Sequence, residues 1–388
     1  MLNRPLEVLG KVLVRLSRWP EAAWVLCRIR PLWGAGEGSV NRLVYVSLFV
    51  RDKRWMRAEF AGLLRRELDH SAAHNLALAT MAWRMDRTRL AHLIFQRTER
   101  RFPGDTEAAI AGREALFLGQ LLGGDLREAL AESLTGVGVE QATAPTICVV
   151  FLSTRYVDMY RLWLEQFRAF GTGHLLVCAL DAEAAVSARA DVGSQMIDLS
   201  QYFVPDSKGE LDLYGKRHLW IVRVMLLQLM LERGFDFISF DLDALPVSSL
   251  DAMFARLPKA DVVVQKDYSI PVNVARKLGF VLCCGFLAVR SNGATVELFR
   301  RYSRRVAIEL DDQHAINHLL EEAGVANQQS HPAYMSFSSM GVEWICPDAS
   351  LVSRDIAYGS VVRHFQRLGQ SIEELKRLIA TNTQPPKP

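Results

Sequence analysis

The segment that most constrains the fold is a largely apolar run near the middle of the chain, Phe235-Asp236-Phe237-Ile238-Ser239-Phe240, which ends in Asp241-Leu242-Asp243. Such a run predicts a strand that is buried on both faces, as in a parallel sheet covered by helices. Side chains two residues apart on an extended segment lie on the same side, so Asp241 and Asp243 are predicted to project together where the strand leaves the sheet. The run therefore predicts an α/β fold with two carboxylates at one strand end.

Two adjacent carboxylates repel each other unless a cation joins them. Mg²⁺ and Mn²⁺ take oxygen ligands and commonly pair carboxylates with substrate phosphates. An Asp-X-Asp pattern is short, and the alternative is that one aspartate caps a loop while the other is solvated. The preceding strand favours a ligand site, because ligands of open α/β sheets bind outside the carboxyl ends of the strands. We predict a divalent cation, Mn²⁺ or Mg²⁺, that holds a diphosphate there.

Composition excludes several classes of protein. The 388 residues are half apolar, so the chain can form two or three domains without disulfides. A net charge of +3 argues against a nucleic-acid partner. The six cysteines lie mostly in apolar runs without C-x-x-C spacing, and no stretch near the N-terminus predicts a signal peptide or a membrane span. We expect reduced thiols and a cytoplasmic protein.

Residues 1–33 are also compatible with a second cellular location, at a membrane surface. They hold six Lys or Arg against two acidic residues, with leucines at helical spacing. A basic amphipathic helix of this kind can lie on an anionic membrane, which would place the protein peripherally at the inner face. Packing against the following helices explains the same leucines.

The chain divides near residues 135–145 into two differently patterned parts. Residues 1–140 have helical periodicity, with helices predicted at Arg54–Leu68, Ala72–Arg84, Thr88–Arg101 and Glu107–Leu122. Asp52, Asp86 and Asp125 precede helices at separations near the tetratricopeptide period, although an irregular bundle fits nearly as well. We expect an all-α domain that serves as a docking surface for the acceptor.

Residues 143–375 alternate between strand and helix patterns, which predicts an α/β domain. The predicted strands are Thr146–Leu152, Leu175–Leu180, Phe235–Phe240, Asp261–Gln265 and Leu282–Val289. The predicted helices are Val157–Phe170, Leu219–Arg233, Thr295–Arg305 and Asp312–Ala323. Residues 376–388 are expected to be a disordered tail.

Several motifs in this second part resemble, in order, those of nucleotide-diphospho-sugar transferases with the GT-A fold. The strand and loop of residues 146–154 and the segment Cys178-Ala179-Leu180-Asp181 are similar to the nucleotide-binding strands. The strand ending in Asp241-Leu242-Asp243 resembles the metal-binding strand. The segments 284–290 and 311–317 are similar to later motifs of the family. The resemblance implies a mixed, mostly parallel sheet that binds a nucleotide sugar.

The resemblance also implies roles for individual residues. Metal ligands would be Asp241, Asp243 and, near the domain end, His364, with Asp241 shared between metal and ribose. The nucleotide and its diphosphate would be bound by Ser153, Thr154, Asp181, Asp241 and Arg223, the last standing where the family usually has lysine. Asp312 and Gln313 would line the sugar pocket, with capping of a helix as the alternative. Cys283-Cys284-Gly285 departs from the family's asparagine-containing turn.

The leading hypothesis from the sequence is a metal-dependent glycosyltransferase. It would move a sugar from a nucleotide-diphosphate sugar, with a UDP-sugar favoured, to a protein, surface-glycan or lipid-linked acceptor, with retention of configuration. Two alternatives stay open: a helical scaffold with a degenerate transferase domain, and a haloacid-dehalogenase-like phosphatase, whose nucleophilic motif is also Asp-X-Asp.

Overall fold

A computed structural model describes residues 57, 60–62, 64–65, 68–136, 146–192, 195–205, 209–268, 270–349, 351–353 and 361–364. Among these residues, those before Ala129 form one compact unit together with Ile308–Leu310, and the others form a second unit. The predicted amphipathic helix in residues 1–33, most of the predicted helix Arg54–Leu68 and the predicted tail 376–388 lie outside the described residues.

The described part of the first unit is helical. Its helices are α1 (Ala72–Arg84), α2 (Thr88–Arg101) and α3 (Thr106–Gly123), and α4 (Asp125–Gly136) follows. The first two have the predicted bounds. Helix α3 begins after Asp105, whose side chain accepts hydrogen bonds from two backbone N–H groups of its first turn, and ends at Gly124 in the left-handed conformation. Whether these helices form tetratricopeptide-like repeats stays a prediction.

The second unit is built on a nine-stranded sheet with the order β3-β2-β1-β4-β7-β6-β10-β9-β8. Only β7 and β9 run antiparallel to both of their neighbours. The strands are β1 (Thr146–Leu152), β2 (His174–Ala179), β3 (Met196–Asp198), β4 (Asp236–Phe240), β6 (Val262–Asp267), β7 (Val281–Val289), β8 (Ala326–His331), β9 (Tyr334–Ser339) and β10 (Val342–Pro347). A smaller sheet has the order β11-β12-β5 and contains β5 (Ala244–Pro246), β11 (Val352–Ser353) and β12 (Val362–His364).

Seven α-helices lie between these strands in the part of the chain that the structure describes. They are α5 (Val157–Phe170), α6 (Ala182–Val192), α7 (Leu213–Glu232), α8 (Leu250–Ala255), α9 (Val272–Leu278), α10 (Gly293–Glu309) and α11 (Asp312–Ala323). Helix α7 begins six residues before the predicted Leu219, because the side chain of Asp212 accepts a hydrogen bond from Gly215 N at 2.7 Å and caps it there. The predicted α/β class with a mixed, mostly parallel sheet is confirmed.

The core of the second unit lies between the central strands and the helices. Every residue of β7 is buried, as a strand covered on both faces requires. Rings from three elements meet at the end of β4, where Phe240 lies 5.5 Å from Trp163 and 5.3 Å from Phe286 between ring centroids. Aromatic packing thus fixes the strand end from which the Asp-X-Asp pattern continues.

The strands β10, β9 and β8 lie at one edge of the sheet and are additional to the strands predicted from the sequence. Every residue of β8 is exposed and most are polar, so its sequence carries no apolar alternation. The cysteines among the described residues form no disulfide and are buried. Within the described residues, no helix combines the length and hydropathy needed to cross a membrane.

Candidate functional site

Asp241 and Asp243 lie in a turn. Strand β4 ends at Phe240, and Ala244 N then donates a hydrogen bond to Asp241 O at 2.8 Å. Asp241 N donates to Gly285 O at 2.8 Å, which attaches the start of the turn to β7. The sequence argument placed both side chains on one face of an extended segment; a tight turn brings them to one side instead.

His364 reaches the same turn through the smaller sheet. Strand β12 pairs antiparallel with β5, and this register places His364 opposite Ala244. Its Nε2 lies 3.3 Å from Asp243 Oδ1. Asp241, Asp243 and His364 each offer one ligand atom, and these atoms all lie within 4.8 Å of one another. We refer to these three residues as the carboxylate–histidine cluster.

The ring of His364 is enclosed by β6 and β7. Its Nδ1 lies 2.7 Å from Gln265 Oε1 and 3.7 Å from Cys283 Sγ. A Cβ atom at Gly285 would come within 2.2 Å of His364 Cε1, so only glycine leaves room for the ring. Burial lowers the pKa of His364, but its hydrogen bonds to Asp243 and Cys283 outweigh burial and raise that pKa to about 11.

The cluster suits a hard divalent cation. Two carboxylates and one imidazole nitrogen are ligands that Mn²⁺ binds readily, and Mg²⁺ binds the carboxylates. The side chain of Asp241 is 39 % exposed and that of Asp243 16 %, so one side of the cluster faces solvent. A cation there would replace the proton on His364 Nε2, and its binding would release that proton.

Arg223 on α7 joins the cluster to a third aspartate. Its Nη1 donates to Asp241 Oδ1 at 2.8 Å and lies 3.6 Å from Asp312 Oδ2. Its Nη2 donates to Ser239 Oγ at 3.1 Å and to Cys284 O at 2.7 Å. Burial opposes the charge, but Asp241 and Asp312 together raise the pKa of Arg223 above its ordinary value. The guanidinium is therefore a fixed positive charge beside the cluster.

Asp312 and Gln313 open helix α11. Asp311 is the residue that caps the helix, since its Oδ1 accepts from His314 N at 2.7 Å. Asp312 is buried, and this burial raises its pKa to about 7 even though Arg223 acts in the opposite direction. Gln313 Nε2 donates to Ile270 O at 2.8 Å, at the end of the loop after β6. Asp312 therefore remains available for a role besides capping.

Ser153, Thr154 and Asp181 lie at the carboxyl ends of β1 and β2. Thr154 donates to Asp181 through its backbone N, at 2.8 Å, and through its hydroxyl. Ala184 N donates to Asp181 Oδ1 at 2.8 Å. Both oxygens of Asp181 thus hold the loop and the start of α6, and its predicted contact with a nucleotide stays a prediction. Ser153, in the same loop, is buried.

The structure therefore gathers the predicted residues into two groups. Asp241, Asp243 and His364 form the cluster, Arg223 links it to Asp312, and Gln313 lies next to Asp312 in the chain. Ser153, Thr154 and Asp181 form a separate loop on the neighbouring strands. Sequence reasoning missed Ser239 and Gln265, although each is a polar residue inside an apolar strand and could have been noticed for that reason.

Comparison with protein families gives one match in this region. Residues 171–346 match the family model described as nucleotide-diphospho-sugar transferase. The match includes Asp181, Arg223, Asp241, Asp243, Asp312 and Gln313, and it excludes Ser153, Thr154 and His364. The resemblance drawn from the motifs is confirmed over these residues. Among curated proteins there is no match.

Two solved structures are similar over more than half of this chain. The galactosyltransferase LgtC, in complex with donor and acceptor sugar analogues, is 13 % identical, with 62 % of this chain and 98 % of that chain covered and a TM-score of 0.37. Mouse xyloside xylosyltransferase 1, in its apo form, is 11 % identical, with 58 % and 98 % covered and a TM-score of 0.36. Similarities of this size define no substrate.

Proposed function

We propose, from the premise that the second unit carries a nucleotide-diphospho-sugar transferase domain, that this protein is a metal-dependent glycosyltransferase. The observation that carries the proposal is the convergence of Asp241, Asp243 and His364 beyond the carboxyl end of β4. Ligands of open α/β sheets bind at such ends. The cluster lies at a position suited to nucleotide binding, and its ligand atoms suit a divalent cation.

The donor would bind with its diphosphate at the cluster. A divalent cation held by Asp241, Asp243 and His364 would offset the negative charge that develops on the departing nucleoside diphosphate. Arg223 donates to Asp241 Oδ1 at 2.8 Å, so it would hold the Asp241 side chain in place beside the phosphates. We assign the loop of Ser153 and Thr154, held by Asp181, to the nucleoside.

The sugar would lie on the Asp312 side of Arg223. The same Nη1 atom of Arg223 contacts both Asp241 and Asp312, so the two aspartates lie one side chain apart. Asp312 would exchange hydrogen bonds with sugar hydroxyls, and Gln313, the next residue in the chain, would line the same pocket. No side chain is assigned as a nucleophile, and retention of configuration is part of the proposal. Proton NMR of the anomeric position in the product tests it.

For the donor we propose a UDP-sugar, and for the acceptor a protein, a surface glycan or a lipid-linked glycan. The helical unit would dock the acceptor, since α2 and α3 expose Leu93 and Leu116 at 59 % and 66 %. Replacement of both by glutamine should reduce transfer without change in donor hydrolysis. Equal loss of both activities would contradict this assignment. A cytoplasmic location, with peripheral membrane contact through residues 1–33, belongs to the same proposal.

The experiment that tests the function is a donor panel. Binding and hydrolysis of UDP-, GDP- and other nucleotide sugars would be measured with Mn²⁺, with Mg²⁺ and with EDTA. We expect one class of donor to bind and to be hydrolysed only with metal, and Asp243→Asn to abolish this hydrolysis. If no donor binds under any of these conditions, the glycosyltransferase assignment is wrong.

A further inference from the structure

Gln265 is a buried polar residue in the apolar strand β6. Its side chain is 1 % exposed, and the three residues before it are valines. The pairing of β6 with β7 shifts at this point: Val264 lies opposite Leu287, whereas Gln265 lies opposite Cys283. Three residues of β7 therefore bulge out, which reorients the side chains locally. One of these residues is Gly285, which leaves space for His364.

The hydrogen bond between Gln265 and His364 has a defined direction. Gln265 Oε1 lies 2.7 Å from His364 Nδ1, and an amide oxygen can only accept. The bond therefore requires Nδ1 to carry a proton. Once a cation is bound, a histidine with its proton on Nδ1 has its lone pair on Nε2, the atom that lies 3.3 Å from Asp243 Oδ1. The orientation of the Gln265 amide thus decides that the nitrogen facing the cluster, Nε2, is the one with the free lone pair.

The other groups around this ring do not replace Gln265. Cys283 Sγ lies 3.7 Å from Nδ1, and sulfur is a weak acceptor. Asp243 contacts the ring at Nε2, on its opposite side. Gln265 Nε2 is buried and has no hydrogen-bond partner among the described residues. Burial of such a donor costs about 1–3 kcal/mol, which is difficult to explain by packing alone.

We propose that Gln265 is a positioning residue: by accepting the Nδ1 proton of His364, it directs the Nε2 lone pair toward Asp241 and Asp243 for a divalent cation. The inference rests on the proposed function, because it assigns a role within the same metal site. Outer hydrogen-bond partners of this kind fix the orientation of a ligating histidine and increase its basicity. Gln265 acts through His364 and does not touch the cation.

The test compares two replacements of Gln265 in the full chain. Gln265→Met has similar volume and no strong acceptor, and Gln265→Glu keeps an acceptor at the same place. Gln228→Met is the matched control, since Gln228 on α7 donates to Glu232 at 3.0 Å, away from the cluster. Binding of Mn²⁺ alone would be measured by electron paramagnetic resonance, and folding by the melting temperature.

We expect Gln265→Met to weaken Mn²⁺ binding by about 10- to 100-fold, and Gln265→Glu and Gln228→Met to stay within about threefold of wild type. In ¹⁵N-histidine-labelled protein saturated with Zn²⁺, a diamagnetic ion that accepts imidazole nitrogen, His364 should show metal on Nε2 and its proton on Nδ1 in wild type and in Gln265→Glu. In Gln265→Met a fraction of His364 should lose this signature, because no acceptor holds the proton on Nδ1. This spectroscopic readout would not change if Gln265 served packing alone.

The possible failures are distinguishable. Wild-type affinity in Gln265→Met, or equal weakening in Gln265→Met and Gln265→Glu, would overturn the role of Gln265 and leave the metal site intact. If wild type and Asp243→Asn bind Mn²⁺ equally weakly, the metal dependence of the proposed function fails and the role of Gln265 fails with it.

Discussion

Asp181 and Asp241 occupy comparable places in the sheet and differ in what surrounds them. Strands β2 and β4 both pair with β1 in parallel, and each is followed within two residues by an aspartate. Asp181 is buried and accepts hydrogen bonds from Thr154 and Ala184 on both of its oxygens. The side chain of Asp241 is 39 % exposed and bonds to Arg223 through one oxygen. One carboxylate holds a loop, and the other has room for a ligand.

An aspartate after a parallel strand is therefore not by itself a ligand site. The N–H groups of a following helix or loop can use both carboxylate oxygens, as α6 and the Thr154 loop do at Asp181. At Asp241 the chain turns at once into β5, and the N–H groups of Asp241 and Ala244 bond to backbone carbonyls instead. Substitutions at these and neighbouring positions can therefore separate metal binding from support of a loop.

Asp243→Asn should have the largest effect. It removes one negative charge and one anionic ligand from the cluster, so Mn²⁺ affinity should fall at least about 100-fold. Isothermal titration calorimetry measures it. Asp236→Asn is the matched control at the other end of β4, where Asp236 Oδ1 accepts from Ser291 N at 2.8 Å. Similar affinity in both variants would show that the contrast between Asp181 and Asp241 has no bearing on metal.

Gly285→Ala should have the second largest effect. The added Cβ would lie 2.2 Å from His364 Cε1, so the ring must leave the cluster. We expect Mn²⁺ affinity to fall about tenfold or more and the free energy of unfolding to fall by about 1–3 kcal/mol. Calorimetry and urea unfolding measure the two.

The control for this change is Gly293→Ala, because nothing lies within 4 Å of a Cβ at Gly293. That variant should leave both quantities unchanged. Unchanged metal affinity in Gly285→Ala would remove His364 from the proposed set of ligands.

Asp181→Asn should affect stability and leave metal binding intact. The new amide NH₂ would face Thr154 N or Ala184 N, so at least one accepted hydrogen bond is lost. We expect the free energy of unfolding to fall by about 1–3 kcal/mol and Mn²⁺ affinity to stay within about threefold. Urea unfolding and calorimetry would be run beside Asp243→Asn. A loss of affinity as large as that of Asp243→Asn would contradict the contrast.

Asp312 extends the comparison to a third carboxylate, which contacts the same Arg223 guanidinium as Asp241 does. Burial raises the pKa of Asp312 from its ordinary value to about 7, so its contribution to stability is complete below about pH 4 and is lost as pH rises to about 7. The free energy of unfolding of wild type, relative to Asp312→Asn, should therefore decrease over this window by at most about 1.4 kcal/mol per pH unit. Urea unfolding in EDTA at pH 4.5, 6 and 8 measures it.

A relative stability that rises with pH over the same window would show that Arg223 outweighs burial. Asp312 would then be a permanently ionised partner of Arg223.

Much of the fold was predictable from the sequence, because apolar runs and helical periodicity are local signals. Strand β1 and helices α1, α2, α5 and α11 have the predicted bounds. The polar edge strand β8 was not predictable, since its residues are exposed and do not alternate. The start of α7 was also predictable, because the residue that caps it, Asp212, is a local signal in the sequence.

The α/β class, the Asp-X-Asp pair after a buried strand, and the order of motifs that resembles the transferase family can all be read from local sequence patterns. The members and supports of the cluster depend on the tertiary structure. His364 is 121 residues after Asp243 in the chain, and the pairing of β12 with β5 brings them together. Gln265 and Gly285 support the histidine from two further strands. The physical reason is that contacts between distant segments depend on strand register and bulges, which no local pattern of residues records.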